Sequence, residues 1–174
     1  MSLEFFSLAI ASVSLLVAGL SLGWQILAWL LSAGRPRLVL LHGMVGDRGV
    51  MTGPVERGGA PRDIARIRDQ GFDGEEIIGV QVTNRGRASL TVESVAVRMK
   101  GSPTSYVPVD QLIGETLPYQ LAAGTNSSWF TPMGICRELA ATLQSTVGEH
   151  VKGVYIVVTF ATGKSRRTPT TLRL

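Results

Sequence analysis

The spacing of hydrophobic positions divides the chain into three kinds of segment. From Phe5 to Ala33 no Asp, Glu, Lys, Arg or His interrupts a run dominated by Leu, Ile, Val, Ala and Ser. Such a run exceeds the about 20 residues that cross about 30 Å of hydrocarbon at about 1.5 Å rise per residue. After Arg37 the apolar positions alternate, the period of a strand with one buried face. Strands are expected over residues 37–44, 76–83, 90–100 and 153–161, with weaker ones at 104–109 and 126–131. A Thr162-Gly163-Lys164 turn leads into a polar last strand ending at Leu174. Within 90–100, Val95, Val97 and Met99 share one parity and Val92 has the other, which predicts a bulge at Glu93-Ser94.

A third pattern lies between the last two long segments. Thr131-Pro132 reads as an N-cap followed by proline at the first helical position, and Ile135, Leu139, Leu143 and Val147 then form one apolar stripe closed by Gly148. About seven short strands with one-face alternation argue for an antiparallel β-sandwich, with this helix covering an edge or an end. The chain therefore divides into a transmembrane anchor helix at residues 1–34 and one β-sandwich domain at 35–174, a common domain size. Residues 45–75 form a long connection rich in Gly and Arg, in which 61–70 can make a short helix stopped by Gly71, with Ile64, Ile67 and Phe72 packing inward. Its arginines read either as a basic lobe touching lipid or as a solvated loop paired with Asp47, Glu56, Asp63, Asp69 and Asp73.

The flanks of the apolar run separate an anchor from a cleaved signal. Its N-terminal flank carries Glu4 and no basic side chain, and the run is far longer than the about 7–15 residues of a signal-peptide core. Phe5 and Phe6 lie at one end and Trp24 and Trp29 toward the other, as interfacial anchors do. Arg35-Pro36-Arg37 stops the helix, and with Arg48 and Arg57 beyond, the positive-inside rule places the domain in the cytoplasm and the N-terminus outside. Inside the run Ser7, Ala11, Ser14, Ala18, Ser21, Gln25, Ala28 and Ser32 recur at alternating spacings of four and three, all small or polar. A seven-residue period keeps such positions on one helix-packing seam, where small residues let backbones approach and Ser or Gln bond across. Gly19 and Gly23 add a GxxxG pair on a neighbouring line.

In residues 80–92 the sequence VQVTNRGRASLTV joins a strand ending in V-x-N-x-G to a β-branched strand. This resembles the immunoglobulin-like modules of many bacterial proteins. The whole layout resembles small uncharacterised bacterial single-span membrane proteins that carry such a sandwich. The resemblance implies a fold and brings no activity with it. Asn84 and Gly86 read locally as turn residues tolerating positive φ.

Charge and chemistry narrow the picture further. The chain after residue 34 holds all 17 Lys+Arg and 12 of the 13 Asp+Glu, a net charge of +5. That excess suits an anionic membrane surface, and Arg35, Arg37, Arg62 and Arg66 are candidates for lipid-headgroup contact. No Lys/Arg run is interleaved with aromatics, so nucleic acid is not expected. A single cysteine, Cys136, rules out an internal disulfide and reads as a small buried apolar residue rather than a nucleophile. The two histidines, His42 and His150, have no companion at metal-ligand spacing, and the glycines of 46–53 lack the Lys-Ser/Thr of a phosphate loop. Neither catalytic residue nor cofactor is therefore expected.

The function these features imply is a membrane-tethered, non-enzymatic interaction module whose helix packs against a second copy or a partner span. An extracytoplasmic ligand-binding or adhesion domain on a signal anchor is the alternative, and an enzyme is disfavoured.

Overall fold

The computed structural model describes residues 2–108 and 111–174, excepting the side chains of 2–5 and 29–32. Val109 of one expected strand and the side chains of Phe5, Trp29 and Ser32 lie outside the described residues. Helix α1, Ser2–Ser32, is continuous over 31 residues. It has no internal proline and ends shortly before Pro36, whose ring disfavours a helical conformation in the residue preceding it. Within it, Phe6–Ala28 is long and apolar enough to cross a membrane, at 23 residues or about 35 Å, and none of it is buried against the rest of the chain.

The remainder is mainly β, in two antiparallel sheets. β1 (Pro36–Gly46) pairs with β3 (Glu75–Asn84) over its whole length, from Pro36 opposite Asn84 to Val45 opposite Glu75. β2 (Gly49–Pro54) folds back along β1, and β7 (Asn126–Pro132) borders β3, giving the order β2-β1-β3-β7. In the second sheet β4 (Leu90–Lys100) is flanked by β8 (Gly153–Phe160), which carries β9 (Ser165–Arg167) outside it. The other edge of β4 is shared by β5 (Ser105–Tyr106) and β6 (Tyr119–Leu121).

The alternation seen in the sequence becomes the core. Leu38, Leu40, Val80 and Val82 of the first sheet belong to one buried cluster with Val95, Val97, Ile156 and Val158 of the second. Each such side chain contributes about 1.5–3 kcal/mol by leaving water. Trp129 is fully buried in the same cluster; its Nε1–H donates to the Glu115 carbonyl at 2.8 Å, and its ring meets Tyr119 edge-on at 5.9 Å. The parity change in β4 is a real irregularity, since the register with β8 shifts between Val92 and Ser94.

Four expectations are corrected. Residues 45–75 are not one long loop: Gly46, Asp47, Arg48 and Gly49 close a hairpin into β2, and the remainder holds α2 (Ile64–Asp69). β2 escapes the alternation rule because two glycines and a terminal proline occupy half of its six positions. The α3 helix (Met133–Thr142) begins without Thr131 as its cap, because Thr131 and Pro132 are still strand and no side chain caps the helix. Its buried face is consequently Met133, Cys136 and Ala140, continued by Leu143. Ile135 and Leu139 are only half-buried, and Val147 is exposed at the end of a π-helical turn, Leu143–Val147. Gly148 closes that turn with φ 71° and Gly71 follows α2 with φ 78°, as their positions suggest. The last strand is shorter than expected, ending at Arg167.

Candidate functional site

The features that stand apart from folding alone gather where α1 enters the β domain. Asn84, at the end of β3, is fully buried. Its Oδ1 accepts from the Arg35 N–H at 3.2 Å and the Gly86 N–H at 3.0 Å. Its Nδ2 donates to the carbonyls of Ala88 at 2.8 Å and of Leu121 and Ala122 at 3.3 Å. The Arg85 N–H in turn donates to the Arg35 carbonyl at 2.9 Å. Gly86 is glycine for close approach: a Cβ there would stand 2.2 Å from the Ala33 carbonyl oxygen and 2.7 Å from the Gly34 Cα. Neither Asn84 nor Gly86 has positive φ, so the left-handed backbone expected of them is not used, although Gly86 lies in the bend between β3 and β4. What the site uses is an amide with both donors and acceptors, and a backbone without a side chain. The N-x-G spacing was visible in the sequence, but its partner in the residue 33–35 segment was not.

Along α1 the small-residue positions Ser7, Ala11, Ser14, Ala18, Ser21, Gln25 and Ala28 lie on one slowly winding face of an unbroken helix. Ser12, off that line, bonds back to the Leu8 carbonyl at 2.8 Å, so its hydroxyl is satisfied within the helix. Among the described residues the Ser14 and Ser21 hydroxyls and the Gln25 amide have no hydrogen-bond partner in the chain. A Cβ added at Gly19 or Gly23 would meet nothing within 4 Å. Nothing inside the chain therefore calls for glycine at either position.

The four arginines expected at lipid separate. Arg35 and Arg37 stand at the α1 end of β1, both exposed. The Arg62 guanidinium lies over Gly53, where an added Cβ would fall within 3 Å of its Cζ. Gly53 is opposite His42, six residues beyond Pro36 and hence about 20 Å along the strand. Arg66, four residues on and within α2, lines the same 610 Å³ surface cavity as Arg62. The fold supplies other cations to the α1 end instead. The loop after β3 places Arg85 and Arg87 there, and the β8–β9 hairpin places Lys164 and Arg166. Scattered over 130 residues of sequence, six cations collect around the point where α1 begins to leave the domain.

His42 carries the other polar constellation. It is fully buried; its Nδ1 accepts from the Arg62 backbone N–H at 3.0 Å, which fixes the ring hydrogen on Nε2, 2.9 Å from Glu76 Oε1. Arg137 grips both carboxylate oxygens of Glu76 at 2.7 Å. Burial raises the Glu76 carboxyl, but the hydrogen bonds from Arg137 and His42 outweigh it and hold it below the ordinary carboxylate value. This chain ties residues 55–62 to the sheet, with the Val55 N–H donating to the Leu40 carbonyl at 2.9 Å. Among the described residues Arg137–Glu76 is the only pair of a Lys or Arg with a carboxylate, so the loop arginines are not neutralised by the interleaved acids. Asp63 instead caps α2, accepting from the Arg66 N–H at 3.0 Å.

Cys136 is buried on α3, and burial pushes its thiol up to about 11, which leaves it protonated at neutral pH. Among the described residues no three His, Cys, Asp or Glu side chains gather as metal ligands. No protein-family model matches the sequence, and no curated protein is significantly similar to it.

Proposed function

We propose that this protein is a membrane-tethered interaction module. α1 spans the bilayer with its N-terminus outside, and an immunoglobulin-like sandwich of the two sheets stands on the cytoplasmic side. The observation that carries this reading is that Phe6–Ala28 is uncharged, apolar and long enough to span, and unburied by its own domain. In water that surface would cost about 25 cal/mol per Å², whereas lipid covers it without a protein partner. A signal sequence near the N-terminus is the competing reading of such a helix. Against it stands the junction: Arg35 is hydrogen-bonded to the domain through its N–H and its carbonyl, and Gly86 lies close against Ala33 and Gly34. Arg35, Arg37 and Arg48 supply the basic flank that insertion reads.

The seam supports pairing of α1 with a second copy of itself. An unpartnered Gln25 amide in hydrocarbon is expensive, and a neighbouring helix is the nearest source of a hydrogen bond. Gly19 and Gly23, unexplained within the chain, fit a helix approaching from outside. The test is a membrane two-hybrid or energy-transfer measurement of α1 association. Replacing Ser14, Ala18 and Ser21 together by Leu should reduce self-association at least fivefold. The same replacements at Leu16, Leu20 and Leu27, as Leu→Ile, should leave it unchanged. Equal association of all three proteins would remove the seam from the account.

A further inference from the structure

Deepening the tether reading, on which it rests, we propose that the α1 end of the β domain holds a seat for the phosphate of an anionic phospholipid headgroup. A cavity of about 510 Å³ opens at this end. One wall is the backbone of Ala33 and Gly34, the last residues before the domain, together with Pro36. The floor is apolar, made by Leu90 and Phe160. Lys164 and Arg166 supply two cationic side chains, and Ser89, Thr91 and Thr162 supply hydroxyls. No carboxylate lines it. Neither cation belongs to an ion pair among the described residues.

An apolar floor, a cationic rim and hydroxyl donors are what the glycerol-phosphate part of a lipid requires. The cations attract the phosphate, the hydroxyls complete its hydrogen bonds, and the floor accepts the first methylenes. Position favours a membrane source over a dissolved one, because Ala33 and Gly34, the two residues that follow α1, line the cavity. Arg85 and Arg87 extend the positive surface around this seat.

A cationic cavity at the opposite end provides the control. It is about 650 Å³ and is lined by Arg57, Lys100, Lys152 and Arg173. Lys100 ends β4 ten residues beyond Leu90, about 30 Å from α1.

Full-length protein is reconstituted in phosphatidylcholine nanodiscs doped with phosphatidylglycerol, and co-retained lipid is counted by native mass spectrometry after detergent release. Wild type should retain phosphatidylglycerol in preference to phosphatidylcholine. The double variant Lys164→Ser/Arg166→Ser should lose that preference about tenfold at low salt, and Lys100→Ser/Lys152→Ser should keep it. Millimolar glycerol phosphate or inorganic phosphate should not displace the lipid; displacement would assign the seat to a soluble phosphate and overturn the lipid source. Equal loss in both double variants, or no preference in wild type, would overturn the seat itself. Carbonate resistance is scored in the same samples. Protein that stays inserted without lipid preference refutes only the seat, whereas protein that washes out refutes the tether.

Discussion

Single side chains hold this molecule together where its two parts meet, and Asn84 is the most connected of them. Replacing it by Ala removes the acceptor of the Arg35 and Gly86 N–H groups and the donor to the Ala88 and Leu121 carbonyls, while the Ala122 carbonyl keeps Thr125. Asn84→Ala should cost about 2–4 kcal/mol, read as the shift in denaturation midpoint of the detergent-solubilised protein. A change below about 0.5 kcal/mol would mean that water replaces the amide. Glu76 gives a pH signature. Its carboxyl is held low in the folded state, so the stability it brings is present above the ordinary carboxylate pKa and is lost as pH falls through the lowered value. Glu76→Gln should therefore destabilise most at neutral pH, by about 1–3 kcal/mol, with the gap to wild type closing in acid. A gap independent of pH would contradict the ionised bridge. Thr131 is the opposite case, because its buried hydroxyl has no partner. Thr131→Val keeps the shape and removes the orphan, so thermal unfolding should show no loss and up to about 1 kcal/mol of gain.

At the scale of elements, legibility followed the strength of the period. α1 was readable from its unbroken apolar run, β1 from its density of β-formers, and β3, β4 and β8 from their alternation, with β7 weaker, and the parity break in β4 even located its bulge. β2 and β6 were missed because one is half glycine and proline and the other has three residues, too few to show a period. α3 was found, but its face was misassigned by one position. The rotation of a helix leaving a strand is set by the strand, and Pro132 belongs to β7. The long-range groups were not legible at all. His42 to Glu76 to Arg137 joins positions 34 and 61 residues apart, and nothing local marks them as partners. Asn84 stood out by type and spacing, yet its meaning depended on a segment 49 residues earlier.

Over the whole molecule, folding converts an unremarkable net charge into a distribution. The end of the domain nearest α1 gathers Arg35, Arg37, Arg85, Arg87, Lys164 and Arg166, while Asp47, Asp73 and Glu75 sit at the far end of the first sheet. That polarity, the apolar helix and the short hydrogen-bonded junction between them fit the proposed tether, in which the domain is held close to an anionic surface. The junction leaves little room for swivelling, since Arg35 is bonded on both its N–H and its carbonyl. All of this depends on α1 remaining attached and in lipid. The decisive measurement is carbonate extraction of cell membranes followed by intact-mass analysis of the pelleted protein. The expected result is a carbonate-resistant species with Ser2–Ser32 still in place. Protein released by carbonate, or a species shortened by removal of that helix, would contradict the tether.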